Sequence, residues 1–512
     1  MQDMVNYMEK SHQENRQLET QGLDDRKMNQ TEPMNSGTNL PGCVRRLWNG
    51  ERNLLWGPGS SVAVAARIIG DVYETDLKRA LDAVRRVHPL LGAKVIFDDQ
   101  HDAWFSTDSV PETIFRTVPR TSDVQWFDEI QREHRVPFEI EIGPLIRFVL
   151  VYSSPVSELI VFAQHSICDG VALANLIRDI LIFYAEPAKE MKVIEPPLST
   201  IYLQSDEGSS SSSKPIGSDA INNLNLQWRQ RPHCFSQADF IEVHKAYWKK
   251  MQHKIALLQL EPEETSVLVG KCRENGVTIV SATTAAFIAA YQDVVGPFPA
   301  DKNIIAIPYD LRRRLPESIR EAFCFFVGAS AFPITYDNKK DIWGNAQELH
   351  NIIHKDLEEL NSAGLEIDLF DPTLIDASFG FAPLVQSVPE AFEGTDNLSA
   401  FAHDTENIAF VLSGSLKAAT PAILNTNLGN LNYPETYGNL RLDRLFFTTG
   451  ASRDIPLLPA GIGFNGKLAF TLNYATDMKD DDGPSVDTNM IRIRNRVLEL
   501  LGFPEKVNDR AV

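Results

Sequence analysis

The stretch 164–170, QHSICDG, sets a histidine, an aspartate four positions later and a glycine between an apolar run, SELIVFA, and a helix-like stretch, VALANLIRDILIFYA. A histidine at the end of a buried strand can serve as a general base. Its unperturbed pKa of about 6.5 lets it accept a proton near neutrality and return it later. Gly170 removes a side chain where the backbone must turn sharply. Its N–H falls near the start of the following helix, where partial positive charge favours a developing anion. Asp169 need not touch a substrate: a buried carboxylate at the turn anchors the loop by pairing with an arginine from elsewhere. Read alone, HxxxDG fits a structural role as well as a catalytic one.

Other candidates have plainer readings. Cys168 sits inside the motif, but neighbouring residues on an extended segment point different ways and no second base is placed for it. It reads as a small packing residue. His350 and His354 have an i, i+4 spacing that suits metal ligation, yet no HExxH pattern or third ligand accompanies them, so no metal site is expected. His88, before Pro89, reads as a helix-end residue. Thr283 and Thr284, among Ala282, Ala285 and Ala286, read as a stripe for close helix packing. Asn427 either faces a substrate or is a turn residue preceding Gly429.

Strand and helix signals alternate around the motif. SSVAVAARI (60–68), AKVIFDD (93–99), LIRFVLVYS (145–153) and ELIVFAQHS (158–166) read as strands, the last with so little alternation that both faces should be buried. ETDLKRALDAVRRVHP (74–89) is helical, stopped by Pro89, and 171–185 carries Leu173, Leu176, Ile177 and Ile180 on one face. Further on, helices are expected over 264–276, closed by Gly276, 278–296, 344–360 and 489–502. NIIAIPYDL (303–311), FVGASAFPIT (326–335) and LAFTLNYAT (468–476) read as strands. This mixture, without a strict βαβ rhythm, predicts a layered α/β (α+β) fold.

The chain has 512 residues, 43% of them hydrophobic, enough for a large core in two lobes. Its net charge of −20 disfavours nucleic acid as a partner, since phosphate contacts need clustered Lys and Arg. No apolar stretch reaches the roughly 18 residues of a membrane span. The N-terminus lacks the apolar core of a signal peptide. Five scattered cysteines without a CxxC pair predict neither a disulfide framework nor structural zinc, and so a reduced, cytoplasmic setting. Residues 1–40 are expected to be a disordered arm. The Ser-rich SDEGSSSSSKPIGSD (205–219) marks a linker, placed at 201–235, between an N-terminal lobe at 41–200 and a C-terminal lobe at 236–512.

The sequence around the motif resembles the chloramphenicol acetyltransferase-like superfamily of acyltransferases. This superfamily includes condensation domains of nonribosomal peptide synthetases, fungal alcohol acetyltransferases and polyketide-associated acyltransferases. The likeness covers roughly residues 45–500: RRVHPLLGAKV (85–95), PFEIEIGPLIRFVLV (137–151), QHSICDG, CRENGVTIVSATTAAFIAA (272–290), IPYDLRRRL (307–315) and NTNLGNL (425–431) occur in the family's order. The resemblance implies two similar lobes joined in a V, with a tunnel between them and the motif histidine near its middle. It implies His165, Asp169 and Gly170 as the catalytic motif, Arg312 (with Arg313 as the alternative) as the salt-bridge partner of Asp169, and Asn427 as a substrate-binding residue. The reaction implied moves an acyl group from a thioester, acyl-CoA as co-substrate, to a small-molecule alcohol or amine. No bound cofactor is needed, and a monomer is expected.

The sequence departs from the family in places. Many condensation domains carry two consecutive histidines; the first here is Gln164, which favours the alcohol acyltransferase type. The DFGWG-like signature of plant acyltransferases is absent. The Ser-rich segment and the acidic stretch 357–371 have no counterpart in the pattern. Three alternatives remain: a carrier-protein donor in a condensation-like reaction, cyclisation or hydrolysis in the same tunnel, and a binding protein that keeps the fold without transfer.

Overall fold

The computed structural model describes residues 42–198, 218–359, 367–478 and 486–504. The expected N-terminal arm, residues 201–217 of the expected linker and part of the acidic stretch lie outside them. In chain order the strands are β1 (Cys43–Arg46), β2 (Ser61–Ile69), β3 (Lys94–Phe97), β4 (Ala103–Ser106), β5 (Ile114–Pro119), β6 (Ile146–Tyr152), β7 (Val156–Gln164), β8 (Met251–Leu260), β9 (Ile304–Asp310), β10 (Val327–Pro333), β11 (Ile423–Leu424), β12 (Thr426–Leu431), β13 (Thr436–Tyr437), β14 (Leu440–Thr449), β15 (Leu458–Phe464) and β16 (Lys467–Asp477). The helices that matter to the site and its support are α1 (Glu74–Val87), α2 (Gly170–Ala185), α3 (Ser218–Gln230), α4 (Gln237–Lys250), α5 (Ile279–Val294), α6 (Ile342–Glu359) and α7 (Val486–Leu501).

The first lobe is built on a six-stranded sheet of order β13-β14-β2-β7-β6-β5, the second on a four-stranded sheet of order β12-β15-β16-β8 and a three-stranded one, β10-β9-β11. β7 is buried along nearly its whole length, as its continuous apolar run requires. α2 packs on β2 and against α1. In the second lobe α5 packs against α6 and α7. Its stripe of small residues permits that approach, and Thr283 and Thr284 are buried at no polar cost because their hydroxyls bond back to the Ile279 and Val280 carbonyls.

Two features were not in the sequence reading. Ser218–Gln230, assigned to the linker, is the helix α3. Trp228, 1% exposed, anchors it, its indole N–H donating to Thr373 Oγ1 at 2.7 Å. And β13–β14, from the second half of the chain, belong to the first lobe's sheet: β14 pairs antiparallel with β2, Leu445 opposite Ala66 and Thr449 opposite Val62. The apolar faces of β2 and β14 complete one core, so a division at residue 235 separates the chain but not its sheets. Among the described residues no single helix is long and apolar enough to cross a membrane. The pair Pro262–Glu274 and α5 passes by length and composition but is bent by 97°.

Candidate active site

β7 delivers His165 to its C-terminal end. The His165 backbone N–H donates to the Ser60 carbonyl at 3.0 Å, continuing the β2–β7 ladder one step. The imidazole Nδ1 lies 2.8 Å from the Cys168 carbonyl oxygen. A carbonyl can only accept, so Nδ1 carries the proton and Nε2 keeps its lone pair. Nε2 takes no hydrogen bond from the described residues. Burial lowers the pKa of the ring, opposed by the Cys168 carbonyl and then by the charge of Asp169. The neutral, basic form therefore prevails near neutrality. The ring is deep in the molecule yet only half-buried, because it borders a cavity. Phe325 stands edge-on to it, centroids 5.3 Å apart.

Asp169 also borders that cavity, but its carboxylate is taken up by protein partners. Its Oδ1 accepts from Ala172 N–H at 2.8 Å, capping α2. Its Oδ2 accepts from Arg312 Nη1 at 2.9 Å and from Phe326 N–H at 2.8 Å. Arg312 also reaches Asp310 at 3.0 Å and the Cys324 carbonyl at 3.3 Å. Burial opposes its charge, but Asp169 and then Asp310 outweigh that and hold the guanidinium pKa above its ordinary value. Arg313, the alternative partner, is exposed. Other ties join the same stretch of the second lobe to the first: Arg178 to Glu321 at 2.8 Å and Arg45 Nη2 to Cys324 Sγ at 3.1 Å.

Gly170 is needed for a reason other than the one expected. It is the first residue of α2 and is not in the left-handed region, so the turn does not require it. A Cβ there would lie 2.7 Å from both Leu428 Cδ2 and Phe447 Cε2; the missing side chain lets the helix start press against β12 and β14. Asn427 borders the cavity, but its Oδ1 accepts from Gly429 N–H at 2.8 Å where β12 slips register against β15. Its amide Nδ2 lies over Gly461. The geometry is that of a turn-forming asparagine. Cys168 is fully buried, and burial raises its thiol pKa well above the usual value, as suits a packing residue.

Gln164 fills the position of the missing first histidine with a structural bracket. Its amide donates to the Leu54 and Leu55 carbonyls at 2.7 and 2.9 Å, and its oxygen accepts from Ser166 N–H at 2.6 Å. His88 closes α1 with Nε2 3.1 Å from Asp179 Oδ2. His350 and His354 lie side by side on α6, their rings tilted 52° with centroids 4.2 Å apart, and no group of three metal-capable side chains occurs among the described residues.

The cavity measures about 710 Å³, within the range that encloses a drug-sized molecule. His165 and the loop 57–61 border it from the first lobe, and Pro308, Arg312 and Phe325 from the second. The C-terminal end of β14 and the segment 379–388 also border it. The turn signal WGPGSS could have pointed to the loop 57–61; the segment 379–388, which includes part of a π-helical turn at Asp376–Phe381, carries no comparable signal.

Known structures share this architecture. Polyketide synthase associated protein 5 from Mycobacterium tuberculosis is 15% identical with a TM-score of 0.55, over 90% of this chain and 99% of that one. The trichothecene 15-O-acetyltransferase TRI3 of Fusarium sporotrichioides is 14% identical with a TM-score of 0.57, over 88% and 95%. The first condensation domain of the CDA synthetase is 12% identical with a TM-score of 0.58, over 92% and 99%. The chain thus has the two-lobed chloramphenicol acetyltransferase-like fold of condensation domains, as the resemblance implied. The profile of the phthiocerol/phthiodiolone dimycocerosyl transferase C-terminus family matches residues 249–368. The hybrid PKS-NRPS synthetase traA of Penicillium crustosum is 28% identical over 142 residues, 27% of this chain and 4% of that synthetase. The match therefore spans a small fraction of that relative.

Proposed function

We propose that the protein transfers an acyl group from a thioester to a hydroxyl of a small-molecule acceptor, with His165 as general base. One observation carries the reading: an imidazole held by its Nδ1, with Nε2 unoccupied, borders a cavity of about 710 Å³ walled by both lobes. His165 Nε2 takes the acceptor's proton, and the oxygen attacks the thioester carbonyl. The C–S bond breaks, and the leaving sulfur takes the proton back from Nε2, giving an ester and a free thiol. Asp169 and Arg312 hold the loop and the two lobes in register; they are positioning residues. Gly170 keeps the helix start close to β12 and β14, and Asn427 shapes the turn beside the cavity.

Aromatic side chains from both lobes, Phe325, Phe326, Phe379 and Phe447, border the cavity, which suits an acceptor with a large apolar body. Acyl-CoA is the donor of choice; the match to a hybrid synthetase supports an acyl carrier protein as the second candidate. The test is a screen of acyl-CoAs, and of an acyl carrier protein loaded with the same acyl groups, against alcohol and amine acceptors, with His165→Ala as control. General-base catalysis accounts for about 10²–10⁴-fold, so the variant should lose that much of kcat while folding normally. Binding of donor without product would support a non-catalytic role, and an unchanged rate in His165→Ala would remove His165 from the mechanism.

A further inference from the structure

We propose that the Ser60 hydroxyl is a second catalytic group, donating a hydrogen bond to the oxygen that turns negative when the thioester carbonyl is attacked. The proposal rests on the acyl-transfer reading above. β2 and β7 pair antiparallel with Ser61 opposite Gln164. One further step sets Ser60 opposite His165, and the His165 N–H donates to the Ser60 carbonyl at that step. Directly opposed side chains share a face of the sheet, their Cβ atoms roughly 5 Å apart. Both residues border the same cavity.

The hydroxyl is unengaged. Ser60 is half-buried, and its Oγ takes no hydrogen bond from the described residues. Of the other polar groups around the cavity, Thr449 Oγ1 donates to the Gly450 carbonyl; Ser452 Oγ and Asn427 Oδ1 only accept, from Asp454 and Gly429 N–H, but neither residue lies opposite His165 in the sheet. The Thr426 and Ser61 hydroxyls also take no hydrogen bond from the described residues, but Thr426 lies on β12 and Ser61 stands opposite Gln164, so neither opposes His165.

The chain also makes room for this hydroxyl. Ser60 closes a turn by donating its N–H to the Gly57 carbonyl at 3.0 Å. A Cβ on Gly57 would fall on Ser60 Oγ, well inside van der Waals contact. Gly57 is not in the left-handed region, so backbone freedom does not account for a glycine there; space for the hydroxyl does.

The step balances. His165 Nε2 removes the acceptor's proton, and the oxygen's electron pair forms the new C–O bond as the C=O π pair moves onto oxygen. Ser60 O–H donates to that oxyanion and keeps its own proton. The pair returns, the C–S bond breaks, and the sulfur takes the proton from His165.

The experiment measures kcat and KM by thiol release, using the donor and acceptor accepted by the wild type. Loss of one oxyanion donor lowers kcat about 10²–10³-fold, so Ser60→Ala should do so with each KM within about threefold of wild type. Ser60→Cys, of similar volume but a weak donor, should lose kcat in the same way, and Ser60→Thr should recover much of it. Gly57→Ala should lower kcat in the wild type yet change little in the Ser60→Ala background, because the atom it displaces is gone. That coupling reports that the two side chains share one space; the kcat loss at near-constant KM, shared by Ser60→Cys and reversed by Ser60→Thr, is the readout that a purely structural role would not give. Should Ser60→Ala fail to fold, Ser60→Cys against Ser60→Thr decides by the same split. Wild-type kcat in Ser60→Ala or Ser60→Cys, a loss confined to KM, or an undiminished Gly57→Ala effect without the hydroxyl overturns the proposal while leaving the acyl-transfer reading intact. Absence of transfer by the wild type with every donor overturns both.

Discussion

Asp169→Ala is the substitution whose cost can best be worked out from the structure. It removes three acceptor interactions at once. The cap on α2 is worth about 1 kcal/mol. Leaving Arg312 without its most buried partner costs about 3–5 kcal/mol, and the lower end applies because Asp310 still faces the guanidinium, its side chain 35% exposed. The Phe326 N–H, left unpaired in the interior, adds about 1 kcal/mol or more. The total is about 5 kcal/mol, comparable with the whole stability of many proteins. Urea unfolding followed by tryptophan fluorescence should show a large fall in the midpoint. Removing the orphaned charge should then help: Asp169→Ala/Arg312→Met should regain part of the loss, because an apolar pair replaces a lone buried cation. Activity of Asp169→Ala, assayed cold where it still folds, should stay well above that of His165→Ala. An Asp169→Ala protein with a wild-type midpoint and no activity would refute this account and make the carboxylate a direct participant.

Three further outcomes follow from other contacts. Burial sets the pKa of His165 below the usual imidazole value, so kcat/KM should hold as pH falls through about 6.5 and decline only below it; a decline starting above neutrality would contradict the geometry. His244 and His253 are buried, their pKa values lowered by burial to about 3 and about 4, and His134 beside them is held well below its usual value by burial and then by both neighbours. The unfolded chain binds protons at these three from about pH 6.5 down, whereas the folded chain binds them at His244 and His253 only near pH 4 and below. Stability is therefore full above about 6.5 and lost as pH falls toward 4, on the order of 1 kcal/mol per unit for each ring; His253→Asn should flatten that slope in unfolding measured across the range. Gly170→Ala drives a methyl into Leu428 and Phe447 and should cost about 1–3 kcal/mol of stability, read as a lowered thermal midpoint.

The sequence announced the elements whose signal is local. β7 reads from its unbroken apolar run, α2 from its periodic face, and α5 from its small residues. His165 was legible because strand, motif and helix lie within one short segment. The Asp169–Arg312 pair spans 143 residues, and only the resemblance pointed to it. What escaped notice depends on distant partners. The alternation of β14 is broken by a bulge between Leu442 and Arg444, and nothing local says that it belongs with β2. Ser60 gains its place from cross-strand register, and Gly57 its reason from a side chain three residues away. Gln164 reads as a departure from a motif until the Leu54 and Leu55 carbonyls come into view. Gly170 shows the converse: the residue was noticed, but its requirement comes from Leu428 and Phe447, which sequence position cannot reveal.

The pairing of β14 with β2 also governs how the molecule is made. While the chain emerges from the ribosome, β2 is an unclosed rim of the first lobe, presenting a row of free amides and carbonyls. It stays so until synthesis has passed Thr449, a delay on the order of tens of seconds at ordinary elongation rates. During that interval the nascent first half is the species most in need of a chaperone.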